Sequence, residues 1–303
     1  MTELSIVGPW ARQKLELLRK YLHAYTVILK DQEWCDDYIY VDAFAGSGKY
    51  AIRKKLKEPP PPNLQPLFPD QGPEDELTEY IDGSPRVALS IEHPFTQYVF
   101  VELDPTRVAR LKEIRREFPG KQVSIREADC NEYLRNRLIN RSPNFWKSRR
   151  ALVFLDPYGM QVPWATIEGL GNTRGVEILV NFPVGTIQRL LPRNARFTVE
   201  GRRKLNDYFG SEDWHDAVYT TQRGLFREVT LKENDSDRLL LQFYRDRLNT
   251  CFKYVSAAYL VKNSKGVHLY YLIHAGQNRI GSKIASDILG QGQVVRRRPS
   301  NSS

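Results

Sequence analysis

Cysteine is scarce in this chain of 303 residues, and its three copies, Cys35, Cys130 and Cys251, are scattered and odd in number. A disulfide framework is excluded as an organising principle, and reduced thiols in a cytoplasm are expected. There is no C-x-x-C pair. Of five histidines only His268 and His274 stand close together, with no cysteine near them at zinc-ligand spacing. No metal is expected. No apolar run approaches the roughly 20 residues of a membrane helix. The opening MTELSIVGPWARQK lacks the apolar stretch of a secretory signal. The expectation is a cytoplasmic protein without membrane association.

A hydrophobic share of 41% and a mean hydropathy of −0.51 exclude a mainly disordered chain. Lysine and arginine number 45 against 36 acids, a net charge of +9. That balance favours a polyanionic partner, DNA or RNA. The competing reading is a solvated basic surface.

Residues 1–35 read as an N-terminal helical segment. Leu15, Leu18, Leu22, Tyr25 and Leu29 recur at steps of three and four, and Tyr21 and Ile28 widen the stripe. Residues 36–183 alternate strand and helix. Strands are predicted at Tyr38–Val41, Tyr98–Glu102, Gln122–Arg126, Ala151–Asp156 and Val176–Phe182. The fourth, ALVFLD, has no polar side chain before its terminal acid, as suits a central parallel strand covered on both faces. Residues 51–81, with the prolines Pro59–Pro62, read as a surface excursion, partly polyproline. Ser84 with Pro85 reads as an N-cap and first helical residue. Residues 184–252 read as a basic helical insertion with no strong strand. Residues 253–290 complete the core with a hairpin turning at 262–266 and a last helix, and 291–303 form a basic tail carrying Arg296, Arg297 and Arg298.

Five parallel strands with helical crossovers, then an antiparallel hairpin, make an α/β sheet. This order resembles the class I S-adenosylmethionine-dependent methyltransferase fold, a Rossmann-like sheet whose last strand is antiparallel.

Four boxes sit where that fold would place chemistry. The first is Asp42-Ala43-Phe44-Ala45-Gly46-Ser47-Gly48. A glycine turn after a first strand lets backbone N–H groups approach a ligand. The box resembles the D-x-F-x-G-S-G of methyltransferases acting on exocyclic amino groups of bases, whose loop wraps the methionine part of S-adenosylmethionine. Asp42 would order that loop. A phosphate-binding loop is disfavoured because GSGKY lacks the G-x-x-x-x-G-K-[ST] spacing. The second is Glu102, a strand-end acid able to accept hydrogen bonds from ribose hydroxyls. Asp104, before Pro105, reads better as a helix N-cap. The third is Glu127-Ala128-Asp129, resembling a G-D-A box whose acid takes the adenine amino group; capping of the next helix is the alternative for Asp129. The fourth is Asp156-Pro157-Tyr158-Gly159. It resembles the D-P-P-Y box, in which the Asp and a Pro carbonyl hold the target amine and the Tyr stacks on the base. One proline is missing, so Tyr158 falls where the second proline would be.

A narrower resemblance joins these boxes. The helix pattern of Trp10, Lys14, Leu15, Leu18, Tyr21, Leu22 and Tyr25, then YVDAFAGSG, Gly83-Ser84-Pro85, Phe100–Asp104, Phe154–Gly159, Asn181-Phe182-Pro183 and the F-G-x-x-x-W of Phe209, Gly210 and Trp214 resemble the three-Cys-motif partner proteins in this order. The resemblance implies a methyltransferase-like fold, S-adenosylmethionine as cofactor and a three-Cys-motif protein as partner. It brings no substrate. Asp156, Pro157 and Tyr158 would face the acceptor. Arg189, Arg193, Arg196, Arg202, Arg203 and Lys204, with only Glu200 as counter-charge nearby, would meet phosphates or form a solvated face. Trp164 and Phe182 would line a target pocket or pack in the core. A nucleotide hydrolase would need a lysine and metal-binding acid pair that is not evident. The rival to an enzyme is a non-catalytic partner subunit in a defence or mobile-element system.

Overall fold

The structure, a computed structural model, describes residues 6–7, 10–54, 77–223, 228–263 and 265–290. The chain runs through β1 (Ile6–Val7), α1 (Trp10–Leu29), β2 (Asp37–Asp42), β3 (Lys49–Lys54), β4 (Leu77–Asp82), α2 (Ser84–Leu89), β5 (Gln97–Glu102), α3 (Pro105–Glu117), β6 (Val123–Glu127) and α4 (Cys130–Leu134). It continues with β7 (Arg149–Leu155), α5 (Trp164–Asn172), β8 (Val176–Phe182), α6 (Val184–Leu190), α7 (Val199–Phe209), α8 (Trp214–Val218), β9 (Tyr219–Arg223) and β10 (Glu228–Lys232). The last elements are α9 (Ser236–Cys251), β11 (Tyr254–Val255), β12 (Tyr259–Lys262), β13 (His268–Gly276) and α10 (Arg279–Leu289).

The central sheet runs β6-β5-β2-β7-β8-β13, with β11 and β12 both paired to the outer side of β13. The first five strands are parallel, and β13 joins β8 antiparallel. This is the expected methyltransferase-like Rossmann sheet. Parallel pairing brings the C-terminal ends of β6, β5, β2, β7 and β8 to one rim.

Strand alternation divides the core. Val41, Val101, Val153 and Val180 pack against helices that include α4, α5, α7 and α9. Tyr40, Phe100, Phe154 and Leu179 face α1, α2 and α3, where Leu15, Leu18, Tyr21 and Leu22 complete the layer. Each such side chain contributes about 1.5–3 kcal/mol when fully buried. The apolar stripe of α1 is therefore sheet-facing, and it carries Lys14 to the rim.

Three expectations need correction. The excursion at 51–81 is not all loop: β3 and β4 pair antiparallel from Lys49 opposite Asp82 to Lys54 opposite Leu77, and β1 adds a parallel edge. Pro59–Pro62 lie outside the described residues, as does the basic tail; a proline run between the arms hid their period-two pattern. The stretch 184–252 carries a β9–β10 hairpin besides its helices. Its threonines are the missed signal: Thr221 and Thr230 share a hydroxyl hydrogen bond of 2.9 Å across the pair. Finally, the N-cap of α2 is Gly83 rather than Ser84: the Gly83 carbonyl accepts the first helical hydrogen bond, from Val87 N–H at 3.0 Å, and no side chain caps that end.

Candidate functional site

Asp42 and Glu102 end β2 and β5, and Asp156 follows β7, at the rim. Alternation from Tyr40, Phe100 and Phe154 turns all three toward the α1 side of the sheet. Asn181, two residues after Leu179 in β8, faces the same way.

The glycine turn sits between them. Gly46 and Gly48 adopt φ of +63° and +69°, the left-handed region that a side chain disfavours. The N–H of Gly46 donates to Glu102 Oε2 at 2.9 Å, and Ala45 N–H donates to the Val101 carbonyl at 3.0 Å. Glu102 Oε1 accepts from the N–H groups of Leu103 and Asp104, each at 3.0 Å. A carboxylate offers about four lone-pair positions, so Oε2 retains acceptor capacity. Gly83 braces the turn from below: its N–H donates to the Gly48 carbonyl at 2.9 Å, which accounts for the Gly-Ser-Pro motif structurally. The Ser47 hydroxyl folds back onto the Lys49 carbonyl, Phe44 packs at the edge of the core, and Ala45 is buried.

Asp42 is fully buried. It accepts from Tyr40 Oη at 3.2 Å and from Phe44 N–H at 3.4 Å. Burial pushes its pKa up to about 7, against the pull of the Ser84 hydrogen bond. Tyr50 reaches back over the turn, its Oη 3.4 Å from where a Cβ on Gly46 would lie. Burial raises the Tyr50 phenol, reinforced first by Asp156 and then by Asp42. Three acids from separate strands thus bear on one phenol, Glu102 being the third.

Asp156 is engaged on both oxygens. Oδ2 pairs with the Lys14 ammonium, and Oδ1 accepts from Asn181 Nδ2 at 2.8 Å. Pro157 is buried, and its carbonyl accepts the Gly159 N–H at 3.0 Å in a tight turn. Tyr158 stands 95% exposed, held at its N–H by Gln161 Oε1 at 2.7 Å. With one proline fewer than D-P-P-Y, the ring faces solvent.

Asp129 follows β6 at the same rim, exposed, and its Oδ1 caps α4 through Glu132 N–H at 3.0 Å. Asp104 caps α3, and the N–H groups of Arg107 and Thr106 hold its carboxyl below the usual range. Trp164 and Phe182 are core residues. Phe209 and Trp214 stack with centroids 6.2 Å apart in the same cluster, so the F-G-x-x-x-W motif serves packing.

The basic cluster splits. Arg202 pairs with Glu212, Arg203 with Asp207 and Lys204 with Glu200, so Glu200 is not the only counter-charge. Among the described residues no acid pairs with Arg189, Arg193 or Arg196, and all three are exposed or half-exposed. Arg189 bonds the Thr186 hydroxyl, whose methyl lies 3.3 Å from a Cβ position on Gly159. Thr186 thus abuts the turn that carries Tyr158.

Sequence reasoning assigned no role to Lys14, Tyr50, Asn181 or Tyr270. Lys14 and Asn181 lay inside quoted motifs; Tyr270, whose ring centroid is 5.5 Å from Lys14 Nζ, carried no signal. A cavity of about 290 Å³ lies at the other end of the strands, near Arg150 and Glu177. There a buried Glu177 bonds Tyr21 Oη at 3.1 Å and His274 Nε2 at 2.9 Å. Among the described residues, no helix is long and apolar enough to cross a membrane, and no three His, Cys, Asp or Glu side chains group as metal ligands.

No protein-family model matches the chain, and no curated protein matches it. Among solved structures, protein LPL1258 from Legionella pneumophila aligns with a TM-score of 0.50 at 14% identity, covering 91% of this chain and 89% of that one. Spermidine synthase from Thermotoga maritima aligns at 0.42 and 10% identity over 91% and 62%. The N-terminal domain of EvdMO1, solved with S-adenosylhomocysteine and D-fucose, aligns at 0.39 and 10% identity over 86% and 83%. At 14% identity the likeness to LPL1258 is one of fold alone, an α/β sheet covered by helices.

Proposed function

We propose that this chain is an S-adenosylmethionine-dependent methyltransferase acting on an exocyclic amino group of a nucleic-acid base, related to the three-Cys-motif partner proteins. One observation carries the reading: the 2.9 Å hydrogen bond from Gly46 N–H to Glu102 Oε2, which ties the glycine turn to the acid ending the neighbouring strand. That pairing sets a backbone cradle beside a hydroxyl acceptor, as an adenosyl group with a charged methionine tail requires. Asp42, Phe44, Ala45, Ser47 and Gly48 shape the cradle, and Asp129 offers its second oxygen to the adenine edge. The cofactor supplies an activated methyl group. The chain's own part is alignment, so no Lewis acid is called for. The Asp156–Tyr158 segment faces the acceptor, the exposed Tyr158 ring suits an unstacked base, and Arg189, bonded to Thr186 on the adjoining helix, suits a phosphate.

Calorimetry with S-adenosylhomocysteine tests the cofactor, and methyl transfer to bulk DNA and RNA, with Asp156→Ala as control, tests the reaction. Micromolar binding and Asp156-dependent labelling are expected. Absence of both overturns the reading. The lost proline favours a second one, a non-catalytic subunit, with or without bound cofactor, docked to a three-Cys-motif protein of a defence or mobile-element system; no transfer to either nucleic acid, together with a stable complex with such a protein, would favour it.

A further inference from the structure

Around Asp156 every acceptor but one already takes a hydrogen bond. Its Oδ2 holds the Lys14 ammonium and its Oδ1 holds the Asn181 amide nitrogen. The Lys14 and Asp156 side chains are only 14% and 15% exposed, so water does not loosen the pair. A charge-assisted contact of this kind prevails over a neutral amine at the same oxygen. The Pro157 carbonyl likewise already takes one donor, the Gly159 N–H.

Asn181 is different. Its Nδ2 donates to Asp156, which turns Oδ1 the other way. That oxygen is buried in a residue 7% exposed and has no partner among the described residues. Flipping the amide would set Oδ1 against the carboxylate, so Asp156 dictates the orientation. Buried carbonyls without partners are rare, and one at the end of β8, beside the Asp156–Tyr158 turn, calls for a donor.

We propose that Asn181 Oδ1, rather than a carboxylate oxygen of Asp156, receives the target amino group, and that Asp156 and Lys14 are positioning residues that hold the amide. This rests on the methyltransferase reading above. In the step, the amine nitrogen's lone pair forms the new N–C bond to the methyl carbon. The C–S bond breaks with its electron pair on sulfur, leaving a neutral thioether. The surplus proton on nitrogen passes to water, because an amide oxygen is too weak a base to keep it. The arrangement also sets the substrate class. A neutral amide acceptor beside a lysine already paired with Asp156 suits a neutral aromatic amine, which brings no charge of its own to be balanced.

The test uses the full chain saturated with S-adenosylhomocysteine. Its ligands are single-stranded oligonucleotides carrying one adenine or cytosine, against the same strands with that amino group deleted. Wild type binds one amine-bearing strand at least tenfold more tightly than its deleted partner, since a site built for an N–H rejects the analogue lacking it. Asn181→Leu, or Asn181→Ala if the first does not fold, reduces that preference below twofold. Its affinity for S-adenosylhomocysteine stays within threefold. Lys14→Met lowers the preference severalfold. If Asp156 takes the amine instead, Lys14→Met raises the preference and Asn181→Leu keeps it; either result overturns the proposal. A wild-type chain with no preference overturns it too. Wild type that fails to bind S-adenosylhomocysteine and to methylate sinks the underlying reading. Labelling that survives in Asn181→Leu sinks only this inference.

Discussion

Gly46 N–H and Glu102 Oε2 meet at 2.9 Å although 56 residues separate them. The contact joins the first parallel strand's turn to the end of its neighbour, and β3, β4 and α2 are accommodated between the two partners without disturbing it. Glutamine in place of Glu102 keeps the size and one acceptor but loses the charge. Hydrogen bonds to charged groups contribute about 1.5–3 kcal/mol, which is roughly ten- to a hundredfold in affinity. Glu102→Gln is expected to weaken S-adenosylhomocysteine binding by that factor in calorimetry, and to lower the thermal midpoint, because its amide nitrogen would face a backbone N–H that now meets a carboxylate oxygen. A change under threefold would remove Glu102 from the cofactor site.

Gly48 and Gly46 share a left-handed backbone but not their surroundings. A Cβ on Gly48 would stand 2.3 Å from Ile114 Cδ1, whereas one on Gly46 would meet only the Tyr50 ring, its Oη at 3.4 Å. Both alanine variants carry the φ penalty, of order 1 kcal/mol. Gly48→Ala adds an overlap with a buried core side chain, so denaturant melts should show it the less stable of the two by about 1–3 kcal/mol. Equal midpoints would mean that the turn relaxes freely.

Asp42 makes stability pH-dependent. Its pKa rises from 3.8 unfolded to about 7 folded, burial being the main cause. Between those values the folded chain holds a proton that the unfolded chain has released. Stability therefore falls as pH rises through this window, by up to roughly 4 kcal/mol from this one group. An asparagine side chain has no charge to bury, so Asp42→Asn should show a flatter profile from about pH 4.5 to 7.5 in chemical denaturation. Parallel profiles for variant and wild type would refute the assignment.

Tyr158, at 95% exposed, contributes little to packing. Tyr158→Ala should leave the melting temperature within a degree or two and still cost binding of single-stranded DNA or RNA by about 1–3 kcal/mol, the worth of one stacked base. The triple change of Arg189, Arg193 and Arg196 to alanine should act otherwise. It should flatten the slope of log affinity against log salt by about 2, at roughly 0.7 per phosphate for single strands. An unchanged slope would assign those arginines to a solvated face.

Glu177 supplies a contrast at the far end of the sheet. It is buried with Tyr21 and His274 as partners. Glu177→Leu leaves His274, fully buried, without that acceptor, and a stability loss of about 3 kcal/mol is expected. Cofactor affinity in the folded fraction should not move. A large fall in affinity would place a functional site at that end.

Periodicity and order in the chain were enough for the sheet. Five apolar runs, followed by a hairpin marked by Asn263 and Gly266, allow one economical layering, because buried parallel strands need helices on both faces. The stripe from Leu15 to Leu29 likewise announced which side of α1 is buried. Those are local properties, repeated along the chain, and they survive any detail of packing. Which polar atoms meet was not local. The pairing of Lys14 with Asp156, 142 positions apart, arises only when α1 lies across the rim. The orphan oxygen of Asn181 exists only because Asp156 claims the nitrogen beside it. The pairing of β3 with β4 across the proline run, and the neutralisation of half the basic cluster by Glu200, Asp207 and Glu212, are of the same kind. Hydrogen bonds and ion pairs act over a few ångströms, so their partners are decided by the folded path of the chain rather than by spacing along it.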